Sequence, residues 1–146
     1  MLNRISKLLT GDMLKALCDM GHGDELVIAD ANFPAESVAK RLIRCPGVNS
    51  SQILEAIKDI FPVDVDYSQA PAKVMELTES DQARGMTTPV AWEEYLHILM
   101  EKYPEIGLCK VERYDFYEKA KAAYVVIQTG EERQYGNLIL TKGVVL

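Results

Sequence analysis

The segment "ELVIAD", Glu25 to Asp30, constrains the fold more than any other stretch of the chain. It is short and apolar on both faces of an extended backbone, which suits a buried parallel strand rather than a solvent-facing one. A strand of that kind needs a layer on each side, and its flanks supply helices. "DMLKALCDM", Asp12 to Met20, puts Met13, Leu14, Leu17 and Met20 on one helical face, with Gly21 positioned just past the end. Pro34 favours a first helical turn, so "PAESVAKR" reads as a short helix and "LIRC" as the next strand.

The alternation runs through the chain. "SSQILEAIKDIF" carries Ile53, Leu54, Ile57, Ile60 and Phe61 at helical spacing behind a Ser/Asn start and stops at Pro62. An acidic loop, "VDVDYSQAPA", leads to a strand-like "KVMEL" and a second loop, "TESDQARGMTTP"; Pro89 then opens the amphipathic helix "PVAWEEYLHILMEKY". "GLCKVER" (strand), "YDFYEKAKAA" (helix), "AYVVIQT" (strand), "GEERQYG" (turn) and "NLILTKGVVL" (strand) complete the order. The pattern predicts a single α/β domain over residues 1–146, three layers deep, with a mostly parallel sheet of about six strands and helices on both faces.

Charge and cysteine usage narrow the partners. Sixteen basic residues against 22 acidic ones leave a net charge of -6, and the basic residues are scattered. Nucleic acid and anionic membrane surfaces are therefore poor partners. Cys18, Cys45 and Cys109 are far apart, with no C-x-x-C pair and no nearby histidine, so reduced, mostly buried thiols are expected and a zinc site is not. The first residues are interrupted by Lys7, Thr10, Gly11 and Asp12 before a signal-type apolar run can form, and no later stretch approaches a membrane span; a cytoplasmic protein is expected.

In sheets of this kind ligands gather at the carboxyl ends of strands. Asp30, Arg113 and the acidic loop around Asp64 and Asp66 are the polar groups expected there. Neither G-x-G-x-x-G nor G-x-x-x-x-G-K occurs, and "GHGDE" precedes a strand instead of opening a helix, so a nucleotide is a poor ligand. His22 is the first candidate for proton chemistry, because imidazole gives and takes protons near neutral pH and its glycine neighbours offer no wall to pack against. His97, inside an amphipathic helix, reads as a surface or packing residue. Asp30 either binds a ligand or caps a turn. Tyr135 and Asn137, two apart in an extended chain, can point to one face with Gly136 allowing close approach, although a plain hairpin turn uses the same residues. Together with Arg113 and Tyr117 they offer neutral donors and acceptors and an aromatic face, chemistry suited to an uncharged polyhydroxylated ligand. Phe116 reads as a packing residue beside Tyr117.

Five separate stretches, "MGHGDELVIADANFPA", "APAKVMEL", Arg84-Gly85 with "TPV", "ERYDFYEKAKAAY" and "YGNLILTKGV", resemble the RbsD/FucU family of sugar mutarotases over essentially the whole chain. "VMEL" and "ERYDFYEKA" look like its L-fucose branch, whereas the opening motif and "YGN" are shared with the ribose pyranase branch. The resemblance implies interconversion of the anomers of a free sugar by acid/base ring opening. It makes His22 the proton donor and sets Asp30, Met75, Arg113, Tyr117, Tyr135 and Asn137 around the sugar. It also implies a catalytic aspartate, for which Asp64 stands in "FPVDVDY"; one extra residue before the tyrosine leaves Asp66 as the alternative. Only the C1–O5 bond breaks, so no metal or other cofactor is expected.

His22 precedes the first strand and Asp30 ends it, and five extended residues cover roughly 17 Å. Unless the "HGD" turn folds back, both cannot touch one sugar within one chain. The expectation is a pocket completed at a subunit boundary, in agreement with the ring-shaped homo-oligomers, commonly decamers, that the resemblance implies. Ribose pyranase activity and a non-catalytic sugar-binding or transport-accessory role are the alternatives.

Overall fold

The computed structural model describes residues 1–146. Six strands form one sheet: β1 Glu25–Ala29, β2 Leu42–Cys45, β3 Ala72–Met75, β4 Cys109–Val111, β5 Val125–Thr129 and β6 Leu138–Thr141. Their order is β2-β5-β1-β6-β3-β4. Five strands run the same way, and β6 alone runs against both of its neighbours, β1 and β3. The sheet is thus mostly parallel as expected, but β1 is parallel only to β5.

The helices are α1 Gly11–Asp19, α2 Ala35–Val38, α3 Ser50–Ile57, α4 Glu79–Ala83, α5 Val90–Met100 and α6 Arg113–Ala122. Helices α1, α3 and α5 cover one face of the sheet with Met13, Leu17, Ile53, Leu54, Ile57, Trp92, Tyr95 and Leu99; α2 and α6 cover the other with Ala35, Phe116 and Ala120. β1 feeds both layers. Leu26 and Ile28 join the larger cluster, while Val27 and Ala29 join the smaller one, and all four are fully buried. Burying each of the branched side chains is worth about 1.5–3 kcal/mol, which explains why the strand with no polar face occupies the middle of the sheet.

Local signals set the helix starts. The Thr10 hydroxyl accepts from Met13 N at α1, and Asn49 with Gln52 forms a reciprocal capping box at α3. At α6 the Glu112 carboxylate accepts from Tyr114 N and Asp115 N, fixing Arg113 in the first turn immediately after β4.

Several expectations are corrected. Gly21 does stand just past the cap of α1, but Met20 leaves the helix in extended conformation and the positive φ belongs to Gly23. Helix α3 ends at Ile57, so Ile60 is exposed rather than on its buried face. "TESDQARGMTTP" is not all loop, because Thr78 caps the short helix α4. The closing strand ends at Thr141, and Lys142 beyond it forms an isolated bridge to Val63. The thiols are not mostly buried: Cys18 and Cys109 are exposed, and Cys45 is half-buried, with burial pushing its thiol to about 11. No helix is long and apolar enough to cross a membrane.

Candidate active site

The carboxyl ends of the five parallel strands define one end of the sheet, here the head; the opposite end is the foot. Because β6 is reversed, the residues leading into it, Tyr135 to Asn137, also arrive at the head. There an open cleft of about 310 Å³ is lined by Asp30, Met75, Arg113, Tyr117, Tyr135 and Asn137. All six side chains assigned to ligand binding therefore converge, at the lower end of the roughly 300–1,000 Å³ typical of small-molecule sites.

Asp30 and Asn137 form the floor. Asn137 Oδ1 accepts from Asp30 N at 2.8 Å, its Nδ2 donates to Asp30 Oδ2 at 2.7 Å, and Asn32 N donates to Asp30 Oδ1 at 3.0 Å. Burial raises the Asp30 carboxyl above the ordinary aspartate range, and these hydrogen bonds pull it partly back. The end of β5 holds the same loop: Gln128 Nε2 donates to Phe33 O at 2.9 Å and Thr129 Oγ1 donates to Ala29 O at 2.9 Å.

The walls are aromatic and sulfur-bearing. Phe33 packs at 5.7 Å from the Tyr117 ring, and the Arg113 guanidinium lies 5.7 Å from the same ring centre. Phe116 is buried in the smaller cluster as a packing residue, whereas Tyr117 reaches the cleft. Tyr135 reaches it by a route that alternation does not foresee. Its φ is 60°, so the chain is not extended there, and Trp92 Nε1 holds the turn by donating to Tyr135 O at 2.9 Å. Nor does Gly136 leave room for a ligand: a Cβ there would lie 2.6 Å from Glu131 Cγ and 3.0 Å from Arg133 O.

His22 and Asp64 are not in this cleft. They meet at the foot, where His22 Nε2 donates to Asp64 Oδ2 at 3.2 Å and Asp64 Oδ1 accepts from Tyr67 N at 3.3 Å. The Tyr67 ring stands edge-on to the imidazole at 5.3 Å. Asp64 is buried and Asp66 exposed, so Asp64 is the histidine's partner. The expectation that this acidic loop lies with Asp30 at strand carboxyl ends is corrected: Asp64 N donates to Thr141 O at the terminus of the reversed strand. The "HGD" turn does not fold back, because Gly23 N donates to Lys142 O and Lys142 N to Asp24 O, both at 2.8 Å, prolonging the β1–β6 pairing away from the head.

With Nε2 committed to Asp64, Nδ1 is the ring nitrogen without a partner in the chain. Asp64 thereby fixes tautomer and orientation together. His97 is exposed on α5. No three His, Cys, Asp or Glu side chains converge as around a metal ion.

Two groups of residues escaped the sequence reading. Asp81 of α4 lines the head cleft; the Thr-x-x-Asp spacing of "TESD" was the available signal. Behind the cleft, Glu131 accepts from Ser50 Oγ at 2.8 Å and from Arg133 Nε at 2.9 Å, and Ala31 N donates to Glu131 O at 2.9 Å. The Ser50 and Ala31 contacts join parts of the chain far apart in sequence and leave no local pattern.

A six-stranded α/β frame whose head cleft presents a carboxylate, an amide, a guanidinium and phenols against an apolar wall defines a small-molecule protein for a neutral, hydroxyl-rich ligand. The chain belongs to the RbsD / FucU transport protein family, whose model matches residues 3–145. It is 49% identical over 146 residues to the fucose mutarotase of Homo sapiens, covering 98% of this chain and 94% of that protein. The crystal structure of the fucose mutarotase in complex with L-fucose from Streptococcus pneumoniae superposes with a TM-score of 0.88 at 39% identity, covering 99% of this chain and 100% of that one. Bacillus subtilis RbsD complexed with D-ribose is more distant, with a TM-score of 0.68 at 25% identity and full coverage of both chains, 100% each.

Proposed function

We propose that the protein is a fucose mutarotase, interconverting the α and β anomers of L-fucose by acid/base ring opening and closure. The head cleft carries this reading. Asp30, Asn137, Arg113 and Tyr135 offer hydrogen bonds to sugar hydroxyls, and Met75 with Tyr117 and Phe33 forms an apolar wall for the methyl group of a six-carbon deoxysugar. Its greater likeness to fucose mutarotases than to RbsD supports fucose over ribose.

Ring opening protonates the ring oxygen while the anomeric hydroxyl loses its proton; rotation of the aldehyde and reclosure reverse both transfers. We assign the protonation to His22 Nδ1, with Asp64 holding Nε2–H. His22 and the cleft stand at opposite ends of β1, so the complete site forms where the foot of one subunit meets the head of another. A head-to-foot contact is heterologous and closes into a ring when its rotation permits, which supports the ring-shaped homo-oligomer; the count of ten rests on the family resemblance alone. Three unpaired cysteines support a cytoplasmic location.

NMR saturation transfer between the anomeric protons of L-fucose tests the activity. Exchange faster than in buffer is expected, with D-ribose and D-galactose slower. Binding of L-fucose without exchange would make the protein a sugar-binding accessory instead, and faster pyranose–furanose exchange of D-ribose would make it a pyranase. The shared site is tested by mixing. His22→Ala and Asn137→Ala subunits, each inactive alone, recover exchange when co-assembled; no recovery in confirmed mixed oligomers overturns it.

Gly143→Ala provides a separate check on the foot. A Cβ at this position would lie 2.9 Å from Asp64 Cα and 3.0 Å from Asp64 N, backbone atoms that cannot swing aside. Overpacking of this kind costs about 1–3 kcal/mol, and a shift of about 1 Å in a catalytic group can cost on the order of 10²-fold in rate. The expected outcome is a large fall in kcat with L-fucose affinity retained, measured by saturation transfer and calorimetry.

A further inference from the structure

We propose that Asp81 is a positioning residue of the head cleft: by accepting the hydrogen bond of the Tyr135 hydroxyl, it makes Tyr135 face the ligand only as a hydrogen-bond acceptor. The assignment rests on the cleft being the sugar site and specifies what that site demands of its ligand.

A phenol has one proton to give and two lone pairs to receive with. Tyr135 Oη donates to Asp81 Oδ2 at 2.5 Å and accepts from Thr78 N at 3.1 Å. The direction is fixed by the partners, because a backbone N–H cannot accept and an ionised carboxylate cannot donate. Hydrogen bonds from Tyr135 and then Thr78 hold the Asp81 carboxyl below the usual range, so it is ionised at neutral pH. Thr78 Oγ1 also donates to Asp81 Oδ2, at 2.9 Å, and Arg84 Nη1 lies 3.7 Å from the other carboxylate oxygen. What remains free on Tyr135 is a single lone pair. A sugar hydroxyl meeting it must be the donor, and Tyr135 cannot serve as the acid that protonates the ring oxygen.

The rest of the cleft is consistent with a division of labour. Asn137 Nδ2 has a second hydrogen available beyond the one given to Asp30, and Arg113 is a donor throughout. Asp30 and Tyr135 then accept. Helix α4 buries no side chain of its own, so the contacts of Thr78 and Asp81 with Tyr135 tie its start to the wall of the cleft, and removing one carboxylate does not threaten the core.

The test measures L-fucose affinity and anomer exchange for the wild type, Asp81→Ala, Asp81→Asn, Tyr135→Phe and the double variant Asp81→Ala/Tyr135→Phe. Asp81→Ala is expected to raise KM and Kd for L-fucose about tenfold, the scale of one hydrogen bond to a charged group, with little change in kcat. Asp81→Asn restores most of the affinity, since its amide oxygen still accepts the phenol proton. In the Tyr135→Phe background Asp81→Ala has no further effect. Wild-type affinity in Asp81→Ala, failure of Asp81→Asn to rescue, or fully additive losses in the double variant would each overturn the assignment while leaving the proposed activity standing. A wild type that neither binds nor exchanges L-fucose would instead remove the proposed activity, and this assignment with it.

Discussion

Replacing His22 with alanine lowers L-fucose anomer exchange by roughly 10²- to 10⁴-fold, the range that one general acid contributes, while the protein folds and binds the sugar. The expectation of normal folding follows from the surroundings of the imidazole. Its side chain is 44% exposed, it lies between glycines, and its contacts are the Asp64 carboxylate and the edge-on Tyr67 ring. Asp64 keeps its hydrogen bond from Tyr67 N in the mutant, so no buried group loses its last partner. The binding side chains are at the other end of β1 and do not depend on the ring. Saturation transfer, thermal unfolding and calorimetric titration with L-fucose measure the three quantities separately. Retained turnover in a folded His22→Ala protein would take the acid role away from His22, and lost binding would mean that the imidazole holds the sugar as well as protonating it.

The second large effect is on stability. Glu131→Ala is expected to cost about 3–5 kcal/mol, as when one partner of a buried charge network is removed, against a typical total of about 5–15 kcal/mol. Glu131 is only 2% exposed. It takes two hydrogen bonds from the Arg133 guanidinium and one from Ser50, and Ser50 in turn lies 2.5 Å from the Tyr95 hydroxyl. Since Ser50 has one proton and spends it on the carboxylate, Tyr95 is the donor in that pair. Deleting the carboxylate strands the whole chain of donors and loosens Arg133, which then keeps Glu94 and the Ser51 hydroxyl. The 130–137 turn, with Tyr135 and Asn137, goes with it. Glu131→Gln retains an acceptor for Ser50 and is expected to lose less.

The same network has a pH signature. The Arg133 hydrogen bonds hold the Glu131 carboxyl at about 2, against an ordinary value of 4.5. A depressed carboxyl contributes its full stabilisation above the unfolded value and loses it as pH falls through the folded one. Wild-type stability should therefore decline between about pH 4.5 and 2 by on the order of 2 kcal/mol from this group, allowing for solvent around Arg133. Glu131→Gln should lack that component in denaturant titrations across the same interval. An identical slope in both proteins would show that Glu131 is not ionised against Arg133 in the folded state.

The parts of the molecule that were legible in the sequence are those whose stability is local or one-dimensional. β1 was readable because four consecutive buried residues leave it nowhere to go but the centre of a sheet, and α3 because its capping box and apolar spacing agree. Asp30 could be placed at a strand's carboxyl end from position alone, whereas Asn137 joined it only through the family resemblance, because nothing local in the sequence records that β6 is reversed. Helix α4 was missed because it buries nothing, so no periodicity records it, and its start is held by a cap and by Tyr135. Tyr135 lines the cleft by a route that strand alternation does not describe, its left-handed backbone being held by Trp92 and packed against the Glu131 loop. The Ser50–Glu131 contact spans 81 positions and the His22–Asp64 contact 42, and only the folded chain brings such residues together.

Reversal of β6 has a further consequence. The strand delivers Asn137 at one terminus and, just past the other, the Gly143 that abuts Asp64. It is a fixed spacer between the two chemistries. A one-residue slip would turn every side chain of the strand to the opposite face; a two-residue insertion would restore the faces and still drive the termini apart. In an assembly where each sugar is read by one subunit and protonated by the next, that spacing becomes the repeat of the whole ring. Mutational drift in β6 is therefore limited by length rather than by composition: Leu138, Ile139 and Leu140 can exchange for other apolar residues, but their number cannot change.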